Sequence, residues 1–384
     1  MWLEMFRKIE KSLLNKVFTL KDSSFFSVII YVNNIELAEG KLNKILNTQN
    51  IIKFPFISAI STKIKSSNLL KIAGVGDVKF ITEDMKVCSQ IYKSKTFMNY
   101  SSFIEKVQGV AKHTCVVIDT GVFPHIDFLL GRNRIVKFVD LINYRNEMYD
   151  DNGHGTFVTG VLSANSITSV YSGMDKSLDV IVIKALDENG ETSSVKILEA
   201  MQWVIDNKEN YNIKIVCMSF GSIFQSLSDP LIRGAEILWD NGIVVVSAAG
   251  NSGPESETIM SPGASKKVIT VGSLNNIDIK PLEVADFSSR GPVFNYFKPD
   301  LLTPGVDIVS NNVFGKEKKF YTIMSGTSVS TPMVAGIISL ILTMNENYTP
   351  NQIKYILSNS CVKIRGDRNS EGFGYLDMNK IIIN

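Results

Sequence analysis

Continuous apolar runs alternate with helix-like segments through most of the chain. An amphipathic pattern at 195–205 predicts one of the helices. Short runs rich in Val, Ile and Ala predict buried strands at 114–118, 180–185, 213–218, 242–249 and 268–272. Strands that are apolar on both faces and are separated by helices are typical of a parallel sheet covered on both sides. The pattern therefore predicts a doubly wound, mostly parallel α/β domain over residues 91–384.

A different pattern occupies the first 90 residues. Apolar, β-branched runs predict strands at 25–32, 51–60 and 78–82, and helical spacing predicts helices at 35–46 and 68–72. Pro55 confines the second strand to an edge or a bend, because proline has no N–H to donate. The order β-α-β-α-β predicts a small α+β domain over residues 24–90, preceded by an extension, residues 1–23, that has no assigned role.

Composition supports this division and excludes several protein classes. The chain has 384 residues, of which 45% are hydrophobic and 20% charged, which excludes a disordered chain, a collagen and a coiled coil. Residues 1–90 carry 13 Lys or Arg and 8 Asp or Glu, so they have a net charge of +5 and the rest of the chain has −3. The total of +2 argues against a protein that binds nucleic acid or a membrane surface. The longest apolar run, 334–344, is too short to span a membrane.

Four scattered cysteines exclude a disulfide scaffold and a zinc site, and they suit a reducing compartment: Cys88, Cys115, Cys217 and Cys361. The first twenty residues contain charges where a signal peptide has its apolar region. The expected location from these residues is cytoplasmic, and secretion stays open as the alternative.

Three short segments carry candidate chemistry. Asp119 directly follows a buried strand, at the carboxyl end where α/β sheets place their sites. His154 is one of only three histidines and lies between two glycines ahead of an apolar helix. Ser328 enters a long apolar helix, where backbone N–H groups and the helix dipole favour a developing oxyanion. Taken singly, these residues could equally be a turn aspartate, a turn histidine and an N-cap serine.

Taken together, the order Asp, His, Ser in glycine-rich settings resembles the subtilase family of serine peptidases. Further matching segments extend the resemblance from about residue 110 to 380: Ala248-Ala249-Gly250-Asn251-Ser252-Gly253, Asp286-Phe287-Ser288-Ser289-Arg290-Gly291-Pro292, Lys298-Pro299-Asp300-Leu301 and Thr303-Pro304-Gly305. The resemblance implies a subtilisin-like fold and a serine endopeptidase acting on protein or peptide substrates, with no cofactor required for catalysis.

The resemblance also implies a role for each candidate residue. Ser328 Oγ would attack the scissile carbonyl, and His154 would take the proton and later donate it to the leaving amine. Asp119 would hold the imidazole tautomer and stabilise the imidazolium. The Asn251 side-chain amide and the Ser328 backbone N–H would bind the oxyanion.

Subtilases bind an extended peptide between two exposed backbone segments. The matching residues are Ser219, Phe220 and Gly221 on one side and Gly190 and Thr192 on the other. Met260 stands where the family often has glycine on the floor of the first pocket. We hypothesise from Met260 a shallowed pocket that disfavours large aromatic residues on the acyl side of the scissile bond, the P1 position.

Residues 24–90 resemble the inhibitor-type, ferredoxin-like propeptide of the family. The resemblance implies that the chain inhibits itself and cleaves itself between Gln90 and Ile91, and a permanent accessory domain is the alternative. A propeptide of this type in a chain with no visible signal peptide makes a cytoplasmic or spore-associated processing enzyme the expectation, and secretion the alternative. Asp127 matches one calcium ligand of the family, so a structural Ca²⁺ is a further expectation, although the segment 165–167 fits the partner loop poorly.

Two other functions stay open from the sequence. One is a catalytically silent scaffold that binds peptides without cutting them, against which the intact Asp119, His154, Ser328 and Asn251 argue. The other is a peptide acyl-transferase or cyclase. Such enzymes usually carry a helical insertion that shields the acyl-enzyme from water, and no extra segment is evident between His154 and Ser328.

Overall fold

The computed structural model describes residues 2–9, 13–14, 25–46, 51–83, 90–165, 172–224, 226, 228–313, 320–364 and 366–383. The chain divides into two compact units, Met1–Val87 and Cys88–Asn384.

The first unit is a four-stranded antiparallel sheet with helices. Its elements in chain order are α1 (Trp2–Arg7), β1 (Phe25–Val32), α2 (Ile35–Leu46), β2 (Ile52–Phe54), a 3-10 turn (Pro55–Ile57), β3 (Ala59–Lys65), a second 3-10 turn (Ser66–Asn68), α3 (Leu69–Ala73) and β4 (Val78–Glu83). The sheet order is β2-β3-β1-β4, the ferredoxin-like arrangement. Alternate residues of β1 are buried, because successive side chains of a strand point to opposite faces.

The single strand predicted over 51–60 is wrong. Pro55 begins a 3-10 turn that separates β2 from β3, and Ser58 closes the turn with a positive φ of 49°. Proline cannot donate to the ladder, so β2 ends there; the chain reverses through the turn, and β3 pairs antiparallel with β2 from Ala59, which lies opposite Phe54.

Residues ahead of residue 24 also enter the core of this unit. Ile9 and Leu13 are buried in the same apolar cluster as β1 and β4. The Ile81 N–H donates to the Lys8 carbonyl at 2.7 Å, and Ile9 forms a parallel bridge with Ile81. The described part of the extension therefore contributes to the packing of the first unit.

The second unit is a nine-stranded sheet between helices. Its elements are α4 (Gln90–Phe97), α5 (Tyr100–Ile104), β5 (Thr114–Asp119), α6 (Ile126–Leu129), β6 (Ile135–Asp140), α7 (His154–Ser163), β7 (Asp179–Lys184), α8 (Ser194–Asn207), β8 (Ile213–Met218), α9 (Pro230–Asp240), β9 (Val244–Ala248), β10 (Ile269–Leu274), β11 (Leu301–Pro304), β12 (Ile308–Asn311), β13 (Tyr321–Met324), α10 (Thr327–Met344), α11 (Pro350–Asn359), β14 (Cys361–Val362), α12 (Arg368–Glu371), β15 (Tyr375–Leu376) and a 3-10 turn (Met378–Lys380).

The sheet order is β14-β15-β11-β10-β9-β8-β5-β7-β6, and every neighbouring pair except β14 with β15 is parallel. The predicted doubly wound, mostly parallel sheet is therefore confirmed. The chain builds one side of β5 with β6 and β7 and then crosses to β8 on the other side. Open α/β sheets bind ligands beyond the carboxyl ends of strands at such a crossing.

Helix α10 runs through the core of this unit. In the described part of the chain it alone is long and apolar enough to cross a membrane, and 83% of that apolar window is buried inside the protein. Every residue from 329 to 342 is buried, including Ser330, Thr331 and Ser339, as in a helix packed on all sides.

Candidate active site

A hydrogen bond joins the end of β5 to the start of α7. Asp119 is the last residue of β5 and is 1% exposed, and its Oδ1 lies 2.7 Å from Nδ1 of His154. His154 is the first residue of α7. The two loops can approach this closely because residue 155 is glycine, as a Cβ there would lie 2.2 Å from the carbonyl oxygen of Gly121.

Thr120 and Asp150 hold this pair in place. The Thr120 N–H donates to Asp119 Oδ1 at 2.8 Å, and the Thr120 hydroxyl donates to Asp150 Oδ1 at 2.9 Å. Asp150 also accepts from the backbone N–H of Gly153 at 2.8 Å. Both hydrogen bonds on Asp119 therefore converge on one oxygen, and the orientation of its carboxylate depends on the position of Thr120.

The electrostatics of His154 are set by the neighbouring acids. Burial acts to lower the pKa of His154, but the charge of Asp119, its hydrogen bond and the charge of Asp150 outweigh burial and raise the pKa above its ordinary value of 6.5. A hydrogen bond from Nδ1–H to Asp119 leaves Nε2 with its lone pair. That nitrogen can accept a proton from a group in the cleft.

Ser328 and Asn251 line the same cleft as His154, which has a volume of about 490 Å³. Ser328 is the second residue of α10. Its Oγ and the Asn251 Nδ2 lie 3.1 and 3.2 Å from the point that a Cβ on Gly326 would occupy. The hydroxyl and the amide nitrogen therefore flank one small volume at the N-terminus of α10, where a developing negative charge is favoured.

Most of the predicted substrate-binding residues line this cleft. Ser219, Phe220, Gly221, Gly190 and Met260 all do. Thr192 instead lines an adjoining cavity of about 320 Å³ that shares Gly190, Phe220 and Gly221 with the cleft. The structure thus places Thr192 one pocket away from the predicted catalytic residues.

Met260 fills the space between the two walls of the cleft. A Cβ on Gly221 would lie 2.6 Å from Cβ of Met260, and a Cβ on Gly250 would lie 2.7 Å from its Cγ. Gly250 has a φ of +109°, which other residues rarely adopt. The thioether side chain is therefore in contact with both walls.

Sequence reasoning missed three residues that organise the site. Thr120 and Asp150 position the Asp119–His154 pair, and Thr327 donates twice to Asn251 Oδ1, through its N–H at 2.9 Å and its hydroxyl at 3.0 Å. Thr120 and Thr327 each adjoin a predicted catalytic residue along the chain, and Asp150 lies four residues before His154. The sequence signal that could have identified them is a side chain able to hydrogen-bond that lies next to, or a few residues from, a predicted catalytic residue.

The described residues do not fit the expected calcium site. Asp127 is fully buried, and its Oδ2 accepts from Asn311 Nδ2 and the Tyr321 hydroxyl, both at 2.8 Å. Its Oδ1 is buried without a hydrogen-bond partner among those residues, which also contain no group of three or more His, Cys, Asp or Glu side chains able to hold a metal. One free oxygen falls short of the 6–8 that Ca²⁺ takes. Residues 166 and 167 of the partner segment lie outside the described residues.

Gln90 and Ile91 are the first two residues of α4. Residues 84–89, which precede the predicted cleavage point, lie outside the described part of the chain. Cleavage between Gln90 and Ile91 stays a prediction.

Comparison with known proteins places this site in context. The model of the subtilase family, Peptidase S8, matches residues 112–375. The serine protease AprX of Bacillus subtilis (strain 168) is 41% identical over 285 residues, which are 68% of this chain and 64% of that protein, so the match spans less than two thirds of its length. A thermostable alkaline protease of Halalkalibacterium halodurans is 29% identical over 85% of this chain and 84% of its own. A match of that extent is longer than the second unit and therefore includes part of the first.

Two solved structures are similar to this one. Sphericase superposes with a TM-score of 0.62 at 27% identity, covering 74% of this chain and 96% of that one. A cold-adapted subtilisin-like serine proteinase gives a TM-score of 0.57 at 28% identity, over 70% and 87% of the two chains.

Proposed function

Because the chain belongs to the subtilase family, we propose that it is a serine endopeptidase that hydrolyses peptide bonds with Asp119, His154 and Ser328 as its catalytic triad. The observation that carries the proposal is the 2.7 Å contact between His154 Nδ1 and Asp119 Oδ1 beside a cleft that His154 shares with Ser328 and Asn251. Subtilases need no catalytic cofactor, so the side chains themselves supply the chemistry.

The acylation step follows from these positions. Ser328 Oγ attacks the scissile carbonyl carbon while His154 Nε2 takes the hydroxyl proton, and Asp119 stabilises the imidazolium that forms. The electron pair of the carbonyl moves onto oxygen, where the Asn251 amide and the Ser328 N–H stabilise it. Collapse expels the amine, which receives the proton from His154 and leaves an ester on Ser328.

Deacylation repeats the sequence with water. His154 accepts a proton from the water as its oxygen attacks the ester, and it then returns the proton to Ser328 Oγ. The acid product leaves and the enzyme is regenerated. The substrate lies extended between the 219–221 and 190–192 segments, where main-chain pairing gives affinity with little demand on sequence.

We further propose that residues 24–90 act as a propeptide that inhibits the enzyme and that the enzyme removes by cleaving itself. Two observations support this. The first unit has its own apolar core, and the match to the alkaline protease extends into it.

Incubation of the purified chain beside its Ser328→Ala variant tests both proposals. The unmodified chain should react with a fluorophosphonate and release fragments whose ends mass spectrometry can assign, and the variant should do neither. Labelling absent from both proteins would identify a silent scaffold. Joined rather than hydrolysed peptide products would identify a transferase.

A further inference from the structure

Lys184 is a fully buried lysine at the carboxyl end of the sheet, the same end at which the site lies. It ends β7 and lies in register with Asp119 of β5 on one side and Asp140 of β6 on the other. Removing an ammonium group from water is costly, and a buried charge persists only when its protons are all matched by acceptors.

Its three protons reach three different segments of the site. Nζ donates to the Thr120 carbonyl at 2.6 Å, to Asp151 Oδ1 at 2.6 Å and to the Leu186 carbonyl at 3.0 Å. Thr120 follows Asp119, Asp151 lies three residues before His154, and Leu186 lines the cleft. One ammonium group therefore joins the loop of the acid, the loop of the base and a wall of the cleft.

The contact with Thr120 reaches Asp119 through a short path. Thr120 donates its N–H to Asp119 Oδ1 and accepts the Gly155 N–H on its hydroxyl at 2.9 Å. Lys184 thus restrains the residue that orients the carboxylate and that also contacts the backbone next to His154. Thr120 contacts Gly155, just after His154, and the contact between Lys184 and Asp151 restrains the segment just before His154.

We infer that Lys184 is a positioning residue of the proposed peptidase, which holds the Asp119 and His154 loops in the register that their hydrogen bond requires. The inference rests on the proposed function. A displacement of about 1 Å in a catalytic group can lower a rate about 100-fold, so a restraint common to both loops acts on turnover rather than on substrate affinity.

A second buried lysine provides a matched control. Lys298 is 1% exposed and donates to Asp300 Oδ2 at 2.7 Å, to Thr270 Oγ1 at 2.8 Å and to the Val268 carbonyl at 2.9 Å. These acceptors lie at or near the amino end of β10, whereas Asp119 lies at the carboxyl end of β5. Like Lys184, Lys298 is a buried lysine that donates to a carboxylate and two other oxygens, but it has no contact with either loop.

The test measures kcat and KM of the full chain and its variants per titrated active site. Lys184→Met should lower kcat by about 10- to 100-fold and change KM by less than about 3-fold. Asp151→Asn, whose side chain is 34% exposed, should give a smaller loss of the same kind, and the double variant should lose little more than Lys184→Met. Lys298→Met should lower the melting temperature and keep kcat. If Lys184→Met does not fold, Asp151→Asn alone decides.

A second readout does not depend on turnover. With ¹⁵N-labelled histidine, the chain has only three imidazoles to assign, and the low-field Nδ1–H signal of His154 reports its bond to Asp119. Lys184→Met and Asp151→Asn should broaden this signal or move it upfield, and Lys298→Met should not. An unchanged signal with unchanged kcat overturns the inference while the proposed function stands. If the unmodified chain neither hydrolyses peptides nor takes the fluorophosphonate, the proposed function fails and the signal alone decides whether Lys184 positions the pair.

Discussion

Asn251 Oδ1 accepts two hydrogen bonds from Thr327, one from the backbone N–H at 2.9 Å and one from the hydroxyl at 3.0 Å. Two donors on one side of the amide fix its oxygen there, so its nitrogen faces the cleft beside Ser328. The donor proposed for the oxyanion is thus in place before substrate binds, which is the condition under which such a donor is most effective.

Asn251→Ala should lower kcat by about 10²- to 10³-fold and leave KM almost unchanged, because the lost bond forms mainly in the transition state. Steady-state kinetics on a peptide substrate measure both constants. Thr327→Val is the matched control. It removes the hydroxyl bond to Asn251 and the bond that the same hydroxyl accepts from the Gly250 N–H at 3.2 Å, but it keeps the backbone bond to Asn251, so it should cost less than about 10-fold. A loss confined to KM in Asn251→Ala would contradict this role.

The raised pKa of His154 predicts the acid side of the pH profile. His154 must be neutral to accept the Ser328 proton, so kcat/KM should fall as pH drops through a pKa above 6.5. Asp119→Asn removes the charge that opposes the effect of burial on the pKa of His154. The fall of kcat/KM on the acid side should therefore occur at lower pH, and kcat should fall about 10⁴-fold. Profiles from about pH 5 to 9 measure both changes. A fall that stays at the same pH in Asp119→Asn would exclude Asp119 as its cause.

Met260 should set the preference at P1. Because Met260 contacts both Gly221 and Gly250, the first substrate pocket has little depth, and Phe and Tyr should be poor P1 residues. Met260→Gly opens the space and should raise kcat/KM for Phe at P1 about 10-fold or more relative to Ala, as burial of an aromatic side chain contributes about 1.5–3 kcal/mol. A peptide library measures the ratio. Met260→Leu should retain the original preference, and an unmodified enzyme that favours Phe or Tyr would refute the hypothesis.

The active enzyme should begin at Ile91 or within a few residues of it. A scissile bond enters the cleft in extended form, so the first turn of α4, which holds Gln90 and Ile91, must unwind before cleavage. N-terminal sequencing of the purified active protein identifies the new end, and Ser328→Ala should remain uncleaved. A start before residue 80 or beyond residue 100 would contradict the prediction.

Local patterns were sufficient where burial and chain order carry the information. β5 and β9 are mostly apolar because helices cover both faces of the sheet, and every residue of these strands is buried. The hydrogen bond between Asp119 and His154 was anticipated from their setting in the chain and the resemblance to a family.

Contacts between side chains from distant segments could not be predicted from local sequence patterns. Two of the residues that Lys184 joins, Thr120 and Asp151, are 64 and 33 positions away, and the apolar run 180–185, which predicts a buried strand, does not show which distant acceptors its lysine reaches. Pro55 was interpreted as the mark of an edge or a bend in one strand, since a proline alone does not show whether the chain continues in the same strand or turns back into a new, antiparallel one.

The short parallel bridge between Ile9 and Ile81 bears on how the first unit behaves in concentrated solution. β4 is the last strand of its sheet, and a bare outer strand offers N–H and C=O groups that recruit other chains. Here the protein's own leading residues occupy part of that position. Shortening the chain from its start should therefore promote self-association, a liability to consider when trimmed versions are produced.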